Sequence, residues 1–329
     1  MNVFQNIKRV FLVFVLGLLS FQNYAGNNPP IYPWDYPEEF FCDLCGCSTS
    51  SGSFGFGTLN NTNFLGARYI YQTFESKDGI FNNSPNSNES FNTYQVWGQV
   101  PIYKTFYATA IVPYQDLYRN FEDHQEHIKG LGDINLMGWY RLTFYKKKKE
   151  GELYLTNEPE ESGHKLQFGI GVKLPTGEFE NAYADRINLG FQVGTGSWDG
   201  IFSIAYNYSG KRFGLSTLTT YYLKGENKYD YRFGNQFSYS ANVFYNIAGK
   251  KTSVMPFVGL NGDVYDSIVQ YDQIVPNTNG GITNGTLGVE VILKKFVIGG
   301  NFTKPIYQKL FGGNVTSKNR MSIYLNYQI

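Results

Sequence analysis

All three cysteines of the chain fall in one short segment, Cys42-Asp-Leu-Cys45-Gly-Cys47. Three thiolates this close suit a soft ion, and the metal-ligand expectation is Cu(I) or Zn(II) held by Cys42, Cys45 and Cys47. The chain has no fourth cysteine to close an all-sulfur zinc site by itself. In an oxidising compartment the alternatives are a local disulfide between Cys42 and Cys45, leaving Cys47 to pair with a partner, or three inert thiols. A second cluster, Glu122-Asp-His124-Gln-Glu-His127, could hold a divalent ion if the segment turned helically; the plainer reading is a solvated charged loop. The remaining histidine, His164, has no G-x-S-x-G elbow to serve, and no G-x-x-x-x-G-K-[ST] loop is present. These absences point away from an enzyme and from a required cofactor.

The elements that carry these residues begin with an exported N-terminus. Lys8 and Arg9 precede the apolar run Val10–Leu19, and Ala25 offers a small residue for cleavage. The run is short for a transmembrane helix, so residues 1–25 read as a signal peptide. Residues 26–60 read as an irregular leader, because the prolines of Asn27–Phe41 rule out a central strand and the cysteine segment follows them.

From residue 61 to the end the dominant signal is period-two alternation. In the last nine residues Met321, Ile323, Leu325, Tyr327 and Ile329 alternate with Ser322, Tyr324, Asn326 and Gln328. Similar stretches cover Leu65–Tyr71, Tyr94–Ile102, Phe106–Val112, Ile134–Phe144, Leu166–Val172 and Phe191–Thr195. One long strand is expected over 201–223, unless Ser209–Arg212 turns, and others start near Phe233, Val254, Leu287, Phe296 and Met321. Trp198–Gly200 reads as a tight turn, Asp266–Asn284 and Pro305–Asn319 as long loops, and Lys146–Lys149 opens a charged connector.

Aromatic residues make up 18% of the chain, with 27 Tyr and 27 Phe, and tyrosine suits a membrane interface because its ring is apolar and its hydroxyl wet. The mean hydropathy of −0.32 fits strands in which every second residue faces lipid. A net charge of +1 gives no electrostatic case for nucleic acid. The expected fold is all-β: an antiparallel transmembrane β-barrel of the bacterial outer membrane, 61–329, with about twelve strands from the alternation of long loops and short turns, fourteen also being compatible.

Three short stretches carry a family resemblance: Gly130-Leu-Gly-Asp133, Lys173-Leu-Pro-Thr-Gly177 and Gly194-Thr-Gly-Ser-Trp-Asp199. Their order and spacing resemble outer-membrane proteins of the phenol-degradation meta-pathway type, relatives of FadL-like hydrophobic-compound channels. The resemblance implies a channel for small apolar or aromatic compounds, in which a kink in the wall, here at Gly194 and Gly196, opens laterally. The plainer reading is that these glycines only shape the barrel. Arg68, Gln95, Gln99, Asn235, Ser238 and Ser240 are the expected polar lining. The expected function is passive uptake or efflux, gated by the cysteine-bearing leader. The alternative is an anchoring or binding barrel that recruits a partner or metal through Cys42–Cys47. Expected partners are outer-membrane lipid, a small-molecule substrate and a periplasmic partner at the leader.

Overall fold

The computed structural model describes residues 63–77, 86–145, 163–183, 186–187, 190–210, 212–249 and 252–329. The signal peptide, the leader with Cys42, Cys45 and Cys47, and the Lys146–Lys149 run lie outside the described residues.

Twelve long strands form one closed antiparallel ring among the described residues. They are β1 (Phe64–Lys77), β2 (Asn86–Tyr103), β3 (Phe106–Asn120), β4 (Ile134–Tyr145), β5 (Gly163–Leu174) and β6 (Asp199–Ser209). The second half comprises β7 (Phe213–Leu223), β8 (Gln236–Tyr245), β9 (Thr252–Tyr265), β10 (Gly280–Leu293), β11 (Phe296–Leu310) and β12 (Val315–Gln328). Each strand pairs with its neighbours in sequence, and β1 pairs with β12 from Phe64 against Gln328 to Ser76 against Val315. Closure matters because an open edge in lipid would leave backbone N–H and C=O groups unpaired at several kcal/mol each.

Alternation sorts side chains into two environments. Leu65, Val96, Ile170, Val258, Leu287 and Ile323 are exposed on the outer surface, while Phe64, Arg68, Gln95, Trp97 and Tyr324 are buried inside. Outward aromatic residues mark two levels. Tyr69, Tyr94 and Tyr114 lie side by side across β1, β2 and β3. At the end with the short turns, Phe106 packs on Tyr140 at 5.0 Å, Phe213 on Tyr245 at 4.8 Å and Phe296 on Tyr327 at 5.2 Å. Tyr94 to Ile102 covers roughly 26 Å along the strand, about 20 Å of height at the ~35–45° tilt usual in such barrels, within an apolar band of about 25 Å between aromatic girdles. Short turns face the periplasm in such barrels, so the opposite, loop-bearing end is extracellular.

Two readings of the strand pattern change, and they offset each other in the count. Phe191–Thr195 is not a wall strand. Every residue from Gly190 to Thr195 is buried, and the segment lies inside the wall; Phe191 and Val193 alternate with Gly190, Gln192 and Gly194 as in a strand, but both sets are buried. Ser209–Arg212 is a turn, with Gly210 N donating to Phe213 O at 2.8 Å, so 201–223 forms two strands, β6 and β7. Trp198–Gly200 is not a turn between wall strands, since Asp199 already pairs with Lys173 as β6 begins. Pro305–Asn319 is mostly strand, because β11 and β12 rise together until a short 3-10 turn at Phe311–Gly313.

The wall is irregular where β3 meets β4. An upper strand, Gln125–Leu131, pairs with the extracellular part of β3, and β4 takes over below it. Leu131 lies opposite Tyr114 and Asn135 opposite Ile111, so residues 132–134 face only Val112 and Pro113. The extra residue makes a bulge, fixed by Gly132 N donating to Pro113 O at 2.9 Å.

Inward apolar side chains gather in four clusters among the described residues. A large apolar cluster at the extracellular end includes Phe74, Phe91, Leu117, Ile128, Phe191 and Phe233. Smaller clusters around Phe64 and Trp97, around Met137 and Trp139, and around Phe244 and Phe257 line the lower wall. Gly299 on β11 faces Tyr324 on β12, whose ring occupies the space a Cβ would need, and Tyr324 donates its hydroxyl to Glu290. Gly299→Val should therefore overpack this layer and destabilise the folded barrel by about 1–3 kcal/mol. The expected readout is a lower temperature for loss of the compact, heat-modifiable band of detergent-folded protein on electrophoresis.

Candidate functional site

The three short stretches that carried the resemblance converge on one buried polar knot. Asp133, just after the bulge, accepts hydrogen bonds from Gly177 N at 3.0 Å, Thr195 N at 3.0 Å and Thr195 Oγ1 at 2.7 Å. Lys173 Nζ lies 3.2 Å from Asp133 Oδ2 and 2.7 Å from Asp199 Oδ2. Lys224 Nζ adds a second cation 3.3 Å from Asp199 Oδ2. Asp199 Oδ1 accepts from Ser197 Oγ at 3.0 Å and from Gly225 N at 3.1 Å. Two lysines thus face two aspartates, each carboxylate also held by neutral donors, which is what burial of such charges requires.

Local geometry explains the residue types. β5 ends at Lys173-Leu174 because Pro175 has no N–H to continue the ladder. Thr176 Oγ1 accepts from Ile134 N at 3.0 Å and donates to Gly132 O at 3.0 Å, tying the chain to the bulge. Gly177 and Gly194 then touch backbone to backbone: a Cβ on Gly177 would sit 2.7 Å from the Gly194 Cα. Gly196 has φ +69° under the ring of Phe179, where a side chain would meet both backbone strain and the ring.

The knot anchors the inward segment 190–197. Phe191 is fully buried between Phe91, at 6.3 Å between ring centroids, and the Arg119 guanidinium, 4.5 Å from the ring centre. Arg119 Nε is 2.9 Å from Glu89 Oε1, which also accepts from Ser76 Oγ at 2.5 Å. Gln115 Nε2 donates to Val193 O at 3.1 Å, and Asn227 Nδ2 to Thr195 O at 3.1 Å. Farther out, Glu180 joins Lys228 and accepts from the Tyr229 hydroxyl, linking two extracellular loops. Hydrogen bonds from Lys228 and Tyr229 hold the Glu180 carboxyl below its ordinary range. The whole arrangement latches an aromatic plug inside the extracellular mouth.

Other expected site residues separate into groups. Arg68, Gln95, Gln99 and Ser238 are buried and inward, while Asn235 and Ser240 are half-buried. Cys42, Cys45 and Cys47, and any Cu(I) or Zn(II) between them, lie outside the described residues. His124 and His127 are not on a helix; they belong to the hairpin between β3 and Gln125–Leu131. His127 Nε2 is 2.7 Å from Asp116 and its ring stacks on Tyr118, while His124 pairs with Asp123 at 2.7 Å. Among the described residues no three His, Cys, Asp or Glu are grouped to hold a metal. The Asp133–Lys173–Asp199–Lys224 knot was not expected as a unit. Its signal was the one charged residue in each short stretch.

Asp133→Ala should remove the shared acceptor of both backbone strands and leave Lys173 with only Asp199. Breaking a buried charged group of this kind costs on the order of 3–5 kcal/mol. The expected result is a barrel that still forms but whose 175–198 segment is cut faster by an added protease, against no change in cleavage of other loops.

Over residues 86–290, more than half its length, the sequence matches the family described as the MetA-pathway of phenol degradation. Comparison with curated proteins yields no match. Among solved structures, the COG4313 outer membrane channel from Pseudomonas putida F1 superposes with a TM-score of 0.57 at 11% identity, covering 81% of this chain and 95% of that one. The Bordetella autotransporter BrkA β domain follows at TM-score 0.47 and 10% identity, covering 82% of this chain and 100% of that one. The CymD monoaromatic hydrocarbon channel aligns at TM-score 0.40 and 8% identity, covering 89% of this chain and 95% of that one. The closed ring, its two aromatic levels and the matched segment together establish the chain as a bacterial outer-membrane β-barrel belonging to the phenol-degradation MetA-pathway family.

Proposed function

We propose that the protein is an outer-membrane channel for passive movement of small apolar or aromatic compounds, with segment 190–197 as its gate. One observation carries this reading: the extracellular mouth is lined by aromatic side chains, and one of them, Phe191, sits on a segment that is latched to the wall but does not form part of it. An apolar lining of this sort accommodates rings and alkyl chains without stranding polar groups. Release of the Asp133 latch lets the segment leave and exposes the cluster. The bulge at Gly132–Asp133 lies under the latch, so the same release loosens the wall there and favours lateral exit toward lipid. The Pseudomonas putida protein of similar fold is an outer membrane channel, which supports the same reading.

Planar-bilayer recording tests the gate. Wild type should show small or rare conductance steps, and Phe191→Ala or the latch-breaking Asp133→Ala should increase open time or step size. Equal traces from all three would remove segment 190–197 as a gate.

The leader is proposed as a second, periplasmic control, because it precedes β1, whose first residue Phe64 lies at the short-turn rim. Removing residues 26–58 should raise conductance, and Cu(I), Zn(II) or oxidant should lose any effect on flux when Cys42, Cys45 and Cys47 are replaced by Ser. A competing reading is an anchoring barrel that recruits a partner or metal through Cys42–Cys47. It is favoured by the side-chain packing that fills both ends of the described interior, as in barrels with no open pore. Silence from every variant, with the full chain capturing a periplasmic partner through its thiols, would decide for it.

A further inference from the structure

Below the mouth, on the β12–β1–β2 wall, the interior holds a guanidinium with no counter-charge among the described residues. Arg68 is buried, and its Nε donates to Gln95 Oε1 at 2.9 Å. Its plane lies 4.6 Å from the centre of the Trp97 ring. No carboxylate of the described residues lies within ion-pair distance of Arg68, and its Nη1 has no hydrogen-bond partner. Two buried interior carboxylates are engaged by neutral donors: Glu290 accepts from the Tyr324 hydroxyl, and Asp263 from Ser238 Oγ at 2.6 Å and Gln236 Nε2 at 3.0 Å.

Two more buried donors beside Arg68 also have no acceptor, Gln95 Nε2 and Trp97 Nε1. The orientation of the Gln95 amide is fixed by its oxygen, which faces Arg68, so its nitrogen must point away from the guanidinium. Trp97 carries only a donor. The three side chains are neighbours by strand register, Arg68 opposite Gln95 and Gly66 opposite Trp97. A water could take up the N–H groups, but it would leave a buried positive charge unneutralised in a low-dielectric interior. A carboxylate answers both needs at Nη1, the one guanidinium nitrogen left open once Nε and Nη2 donate to Gln95 Oε1.

The surroundings narrow the class further. Phe64 packs edge-on against Trp97 at 5.1 Å, and Tyr324 lies 6.4 Å from it on the other side. We infer that Arg68 and Trp97 form a binding site for a small aromatic carboxylate of the benzoate class, with the carboxylate at Arg68 Nη1 and the ring among the neighbouring aromatic side chains. This deepens the channel reading by naming a substrate class, and it rests on that reading only for transit; binding can be read without flux.

Isothermal titration of the detergent-folded full chain tests it, with benzoate, benzyl alcohol and chloride as probes. Benzoate should bind at least about tenfold tighter than benzyl alcohol, as expected of a charge-assisted contact. Arg68→Gln should abolish that preference, Arg68→Lys should keep part of it, and Trp97→Phe, which removes the N–H and leaves a smaller aromatic ring, should weaken benzoate by several-fold. The compact band on electrophoresis verifies folding of each variant. Equal affinity for benzoate and benzyl alcohol in wild type, or benzoate binding unchanged in both Arg68→Gln and Trp97→Phe, would overturn the site. Chloride competing at benzoate's own concentration would overturn the aromatic class, leaving a general anion contact. Benzoate binding in a barrel that never conducts would retain the site and remove the channel.

Discussion

Everything in this protein depends on the pairing of its first wall strand with its last. The β1–β12 ladder turns a meander of twelve strands into a ring, and only a ring satisfies the backbone in hydrocarbon. Once that requirement is met, each strand has one face committed to lipid and one committed to the interior. The outer face needs little beyond apolar bulk and aromatic edges. The inner face is free to carry charge, and it does so with balanced pairs and hydrogen-bonded networks.

The interior charges are arranged at two levels with different consequences. Around Asp133 and Asp199 the charges neutralise each other and bind a chain segment to the wall, so their role is mechanical. Around Arg68 the positive charge meets neutral acceptors and aromatic rings. The contrast arises from register. Asp133 and Lys173 flank the β4–β5 seam at the point where both strands stop or bulge, so loop residues can reach them. Arg68 lies within uninterrupted ladders on both sides, opposite Tyr324 on β12 and Gln95 on β2.

Much of this architecture was legible in the chain. Alternation located ten of the walls' strands, because a lipid-facing strand leaves a period-two pattern that packing cannot erase. It failed at Phe191–Thr195, where burial on all sides also permits an apolar residue at every second position. It joined β6 to β7 because the Ser209–Arg212 turn is short and polar in a region whose strands are already half polar. The three Gly-rich stretches flagged the right places but for a local reason, turning and kinking. Their shared function, meeting at Asp133, depends on contacts between residues 44 and 62 positions apart, which no local pattern contains. Arg68 and Gln95 were expected as inward polar lining, yet the missing counter-charge emerges only once the described neighbours are placed.

The strand Gln125–Leu131 is joined to β3 on one side, while β4 and β5 pair with each other only from Ile134 and Leu174 downward. No described strand pairs with its other edge. That makes the extracellular rim unequal in cooperativity: elsewhere a strand leaves the sheet only if two ladders part, whereas here one suffices. Thermal fluctuation of the ring should accordingly concentrate at this seam, giving the barrel a preferred tear line at the level of the outer leaflet.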